Sequence, residues 1–213
     1  MTGLRGRRMP TAVLIAAVAA LLASLMWVAG AGPGHGRLGP ASPRRAAMTA
    51  DVVSREGPVH SLADAGRAAA RFADRWSLRV GEVMQFSNGY YAQLLDSHGK
   101  DATEVLVDPG SGTVRLEIGP AMMWNTAYGM MPAGAWPGAV KVGSGQAVRI
   151  ADQWLRDHRT GLRAAEPEQF PGYYTLHTLH DDHIVGMLSV NATTGDIWYH
   201  SWHGRFIKMQ ERP

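Results

Sequence analysis

Val107-Asp-Pro-Gly-Ser-Gly-Thr-Val114 and Val190-Asn-Ala-Thr-Thr-Gly-Asp-Ile197 share one plan. An apolar residue is followed by Asp or Asn, a polar turn with Gly in sixth place, and a return to apolar character. The two stretches lie 83 residues apart, and Gly89-Tyr90-Tyr91 recurs as Gly172-Tyr173-Tyr174 at the same offset. Two landmarks sharing one spacing mark an internal repeat. Ahead of the first landmark, Leu62, Ala65, Ala69, Phe72 and Trp76 fall at helical spacing, and Ser61 with Asp64 has the form of a capping box. In the second copy Ser144 is expected to cap a helix with the stripe Val148, Ala151 and Leu155. Three strand-like runs follow in each copy. His98-Gly99 and Asp181-Asp182 read as two-residue hairpin loops between the first two runs. Residues 108–112 and 191–195 join the second run to the third. The expected fold class is α+β: two tandem units, each a helix packed on a three-stranded antiparallel meander, over 58–119 and 144–207.

The apolar pattern sets an expected register. Pairing Val107 with Val114, Val105 with Leu116 and Thr103 with Ile118 gathers the apolar residues, with Ala92 and Leu94, on a helix-facing side. Gln93, Lys100, Glu104, Arg115 and Glu117 then form a solvated side, the usual arrangement for an antiparallel sheet. The same register in the second copy faces Tyr173, Thr175, His177, Leu179, Ile184, Leu188, Val190, Ile197 and Tyr199 to the helix. Tyr174, Leu176, Val185, Met187, Trp198 and Trp202, with His180, His183 and His200, take the other side. That second face is too apolar to stand free in water. Packing within the chain is its plainest use, and a partner surface is the alternative.

Arg5, Arg7 and Arg8 precede a charge-free apolar run from Thr11 to about Ala31. Basic residues before such a run are the signature of export, and a run of about 20 residues suits a spanning helix. Residues 1–31 are therefore expected to be an uncleaved anchor with the remainder outside the cytoplasm. The alternative is secretion after cleavage at Ala29-Gly30-Ala31, which has the A-x-A form. Residues 32–57, rich in Gly, Pro, Ala and Arg, read as a flexible stalk. The formal charge of +3 belongs to the leader, because without its three arginines 18 basic residues face 18 acidic ones. No basic stripe remains for nucleic acid.

The helix, the meander and the D/N-x-x-[ST]-G turn before a final apolar strand resemble the PepSY domain. So does the connector Gly119-Pro-Ala-Met-Met-Trp-Asn-Thr-Ala-Tyr-Gly129, together with Gly186-Met-Leu-Ser-Val-Asn191, which is similar to stretches of exported PepSY-like proteins. The resemblance covers about 58–207. It implies an extracytoplasmic binding or interaction module, of a kind that restrains or senses a peptidase or another envelope protein.

The residues themselves point away from catalysis. The chain has no cysteine, which removes disulfides, thiolate zinc and a cysteine nucleophile. H-E-x-x-H, G-x-S-x-G and a Gly-rich phosphate loop are all missing from the sequence. The expected role is therefore protein or peptide binding, with the membrane as a second partner through the leader. Candidate binding residues are Met122, Met123, Trp124, Asn125 and Tyr128 in the connector 120–143, with Trp198 and Trp202 from the second unit. No cofactor is the first expectation. The alternative is copper, since thioether and imidazole donors suit Cu(I), and Met187, His200 and His183 are the residues that would serve.

Overall fold

The computed structural model describes residues 57–131 and 139–210. The leader over 1–31, the stalk up to residue 56 and residues 132–138 of the connector lie outside the described residues. No helix among the described residues is long and apolar enough to cross a membrane. The architecture is α+β with two antiparallel sheets.

Helix α1 (Leu62–Asp74) begins where Ser61 accepts a hydrogen bond from the Asp64 amide at 3.1 Å and donates its hydroxyl to the Asp64 carboxylate at 2.8 Å. This is the expected cap, and it occupies an orphan amide of the first turn. The buried stripe is Ala65, Ala68, Ala69, Phe72 and Ala73. Four alanines let the helix axis approach the sheet closely, and Phe72 fills the space that remains. Four strands follow as a meander: β1 (Arg79–Phe86), β2 (Gly89–Leu95), β3 (Asp101–Val107) and β4 (Val114–Leu116). A short helix α2 (Pro120–Met123) leads into the connector, and helix α3 (Ser144–His158) opens the second half. Its strands are β5 (Arg163–Phe170), β6 (Tyr173–His180), β7 (His183–Asn191) and β8 (Ile197–Tyr199). The last strand, β9 (Phe206–Gln210), returns to the first sheet and pairs with β1, giving the orders β4-β3-β2-β1-β9 and β5-β6-β7-β8.

Each half thus has four meander strands where three were expected. β1 and β5 escape a period-2 reading for different reasons. β1 is buried on both faces over Gly81–Met84, and β5 carries Pro167 and the exposed Glu166 on an edge. Pro and charge are what edge strands use to discourage further pairing. Ser144 does not cap α3, since Gly143 takes that position with no side-chain hydrogen bond.

The second correction concerns register. In the first half Tyr90 pairs with Val107 and Ala92 with Val105, and β4 adds Val107–Val114 and Val105–Leu116, as expected. The strand stops at Leu116, so Ile118 does not pair with Thr103 and is 40% exposed. In the second half Tyr174, not Tyr173, pairs with Val190, and Leu176 pairs with Leu188. The first two strands of the halves therefore correspond at an offset of 84, and the last two at 83. The hairpin tips account for the difference. Asp181-Asp182 is the two-residue turn expected, with φ of 47° and 64°. His98-Gly99 belongs instead to a three-residue loop over 97–99, closed by the Asp96 amide donating to the Lys100 carbonyl at 2.8 Å and organised by the Asp96 carboxylate, which accepts from the His98 and Lys100 amides. A slip of one residue moves every side chain to the opposite face. Tyr174 and Leu176 consequently pack under α3 with Leu188 and Val190, while Tyr173, Thr175 and His177 face away from it.

The third correction follows from the second. The two sheets meet on the faces opposite their helices, so the side of the first sheet expected to be solvated is interior. Gln93, Glu104 and Glu117 are all fully buried, whereas Lys100 and Arg115 are exposed as expected. Met84, Phe86, Tyr91 and Met187 form an apolar cluster in this layer. Across the layer the Tyr173 hydroxyl donates to Glu104 Oε2 at 2.7 Å, and His177 Nε2 meets Glu82 Oε1 at 3.2 Å.

Candidate functional site

The site is built from two short segments that leave β4 and β8 in the same layer. Past Leu116 the Glu117 amide still donates to the Glu104 carbonyl at 2.9 Å, continuing the ladder by one residue. Val114 and Leu116 point under α1, so the alternation of a strand turns Glu117 to the inter-sheet side. Gly119, at φ 85°, then reverses the chain beneath the Trp198 ring, where a Cβ would stand 2.9 Å from the indole. On the other segment the His200 amide donates to the Met187 carbonyl at 3.1 Å, and the His203 amide donates to the His200 carbonyl at 3.2 Å. That closed turn places two imidazoles, three residues apart, 5.6 Å from each other between ring centres.

Both rings converge on Glu117. His203 Nε2 lies 2.5 Å and His200 Nδ1 3.3 Å from Glu117 Oε1, and the Trp202 indole donates to the same oxygen at 3.3 Å. The side chains of Glu117 and His200 have no exposure and that of His203 has 3%. Behind His200, Nε2 bonds the Ser189 hydroxyl at 2.9 Å, and Ser189 bonds Thr175 at 2.9 Å. Trp202 stacks on His200 at 4.6 Å, and Phe86 meets His203 edge-on at 4.1 Å. Glu117 Oε2 and the Nδ1 atoms of His200 and His203 are buried without a hydrogen bond. Donor atoms of Glu117, His200 and His203 lie within 4.8 Å of one another, close enough to hold a metal ion.

The electrostatics of the layer are divided. Burial alone would raise Glu117, but the imidazole of His200 beside it and the hydrogen-bonded imidazole of His203 outweigh that and pull the carboxyl down to about 2. Burial pushes His200 below its ordinary value, and Glu117 restores only part of that shift. Burial, and then the negative Glu117, drive Glu104 well above the usual carboxylate range. Its oxygens accept from Tyr91 and Tyr173 at 3.0 and 2.7 Å, one hydroxyl from each sheet. A third group lies at the β1–β5 side. Burial and the neighbouring Glu82 push Glu168 up to about 7, and His177 is raised because Glu82 and Glu168 outweigh its burial.

The connector residues chosen from the sequence are placed as packing. Trp124, 7% exposed, lies among Ala121, Phe170 and Tyr173, and meets Trp198 edge-on at 5.5 Å. Met123 packs on the same cluster, and Met122 and Tyr128 pack on the core under α1. Asn125 is buried, donating to the Ala102 carbonyl at 2.8 Å and accepting from the Ala127 and Tyr128 amides. Gly172, at φ 95°, allows the Trp124 carbonyl within 2.4 Å of where a Cβ would stand. Of the three metal candidates, His200 alone joins the cluster. Met187 is buried in the apolar part of the layer, and His183 is exposed at the β6–β7 tip.

Glu117 and His203 escaped the sequence reading. The spacing of His200-Ser-Trp-His203 was the available signal for the histidine, whereas Glu117 looked like one more charge on a wet face. Trp202 and His203 also line a pocket of about 90 Å³ with Phe86, Leu106, Arg115 and Ile118, which opens on the edge of the buried cluster.

No protein-family model matches the chain, and no curated protein matches it. Among solved structures, the Bacillus megaterium YpeB C-terminal domain is similar at 14% identity with a TM-score of 0.25. The match covers 66% of this chain and 62% of that one, so the chain spans less than two thirds of that structure's length.

Proposed function

We propose that the chain is a non-catalytic interaction module of PepSY type, built from two tandem units and held outside the cytoplasm by its leader. The tandem reading is supported by irregularities that recur at equivalent places. Register shifts lie between Val80 and Val83 in one half and Ala164 and Pro167 in the other, and again between Leu94 and Leu95 and Thr178 and Leu179. Shared bulges are harder to reach independently than shared strands, because bulges are specific features of a fold.

The observation that carries the binding role is the pocket at Trp202. Most apolar side chains of the layer are sealed between the sheets, but here the half-buried Trp202 and Leu106 meet solvent beside the exposed Ile118 and Arg115, over the buried Phe86. Apolar side chains with Arg115 and Asp108 at the rim suit a side chain of a protein partner. Ile118→Asp tests this, since an exposed position changes stability by only about 0.5 kcal/mol. A photo-cross-linker placed at Arg115 in cells should give a discrete adduct that Ile118→Asp abolishes while the melting temperature holds. An adduct pattern indifferent to Ile118 would refute the reading.

A further inference from the structure

We infer that Glu117, His200 and His203 form a binding site for one divalent transition-metal ion, with zinc, cobalt, nickel and copper(II) as the chemical class. The donor set is two imidazole nitrogens and one carboxylate oxygen. That mixture suits borderline cations, whereas calcium and magnesium call for oxygen cages and copper(I) for thioethers. Met187, whose carbonyl accepts from the His200 amide, keeps its thioether in the apolar cluster.

Three features of the geometry carry the inference. First, His200 is oriented as a ligand. Ser189 holds Nε2 at 2.9 Å and is itself held by Thr175, which leaves Nδ1 facing Glu117, buried and without a hydrogen bond. A ring nitrogen anchored from behind, with its partner nitrogen turned to the site, is the outer-shell arrangement metal-binding histidines use. Second, the spacing nearly fits. Around a tetrahedral ion with bonds of about 2.0–2.1 Å, donors sit about 3.3 Å apart. His200 Nδ1 and Glu117 Oε1 are already 3.3 Å apart. His203 Nε2 is at 2.5 Å, so that contact must open by about 0.8 Å to admit an ion. Rotation of Glu117 to present Oε2, which has no hydrogen bond of its own, supplies the movement. Third, there is a way in. His203 and Trp202 line the solvent pocket, so an ion can arrive there and keep its remaining coordination positions toward the opening. A cation would also compensate a carboxylate that is fully buried, a charge that is costly to leave without a close opposite charge.

The test uses the full-length purified chain, stripped of metal by chelator dialysis, titrated with Zn²⁺ by calorimetry and with Co²⁺ in the visible spectrum. One saturable equivalent is expected, with a Kd tighter than about 10 µM. Glu117→Gln and His203→Gln should each weaken it by about 10-fold or more, while Met187→Leu leaves it unchanged. Because either site variant can fold poorly, imidazole ¹⁵N spectra of the wild-type protein provide a second reading. Zn²⁺ should shift His200 Nδ1 and His203 Nε2 and leave His183 unmoved. Absence of a saturable equivalent, or an equivalent that both variants retain, overturns the site. The partner reading fails separately: a saturable Zn²⁺ equivalent with no discrete adduct at Arg115 refutes the partner and leaves the metal site standing.

Discussion

Glu104 and Glu117 sit on one face of one sheet, both fully buried, and their environments drive them in opposite directions. Glu104 faces two tyrosine hydroxyls and no cation, so burial dominates and its carboxyl is pushed well above the usual range. Glu117 faces two imidazoles and an indole, and it is held ionised. The two also act on each other, since the negative charge on Glu117 adds to the upward shift of Glu104. Burial therefore does not decide whether a carboxyl carries charge; the partners the opposing sheet delivers decide it. Glu104 ties the sheets together through one tyrosine hydroxyl from each, and Glu117 is the polar centre around which a site can form.

Removing each carboxyl should break the comparison most visibly. Glu117→Ala leaves two buried imidazoles facing a void, and should cost about 3–5 kcal/mol in urea unfolding. Glu104→Gln keeps an acceptor for one tyrosine without charge, and should cost about 1 kcal/mol. Equal losses would show that the two carboxyls are in the same state.

Acid sharpens the contrast. A carboxyl lowered on folding stabilises the fold above its unfolded value, and that contribution disappears as pH falls through its folded value. For Glu117 the window runs from the ordinary 4.5 down to about 2, and is worth about 3 kcal/mol. Glu168 and His177 act the opposite way, since both are raised. Glu168 favours folding below 4.5 and loses that contribution as pH climbs through about 7, and His177 loses its own above its ordinary 6.5. Stability measured by denaturant at successive pH values should thus decline on both sides. Glu117→Gln should flatten the acid limb and Glu168→Gln the neutral one.

The smallest effect is expected at the hairpin tip. His183→Ala, at an exposed position outside the layer, should change stability in urea unfolding by less than about 0.5 kcal/mol.

Much of the fold was legible because it rests on local rules. The capped helix with its alanine stripe, the polar turns at 108–112 and 191–195, and the Asp181-Asp182 hairpin each follow from a few neighbouring residues. β5 was hidden by the Pro and charges that protect an edge, and β9 because its pairing with β1 spans more than a hundred residues. One feature misled more than the rest. Gly-Tyr-Tyr recurs at an offset of 83, but the structural equivalent of Tyr90 is Tyr174. A hairpin loop one residue shorter absorbed the difference and exchanged the faces of β6.

By itself, then, the amino-acid sequence determined where helices and turns form and which residues of the first half lie under a helix, because those depend on spacing along the chain. The tertiary structure alone decided that a charged strand face is interior, that Trp124 is a packing residue, and that Glu117 meets His200 and His203. Those outcomes depend on which face one sheet presents to the other. That is set by register, and a single residue in a loop changes it while leaving the local pattern almost intact.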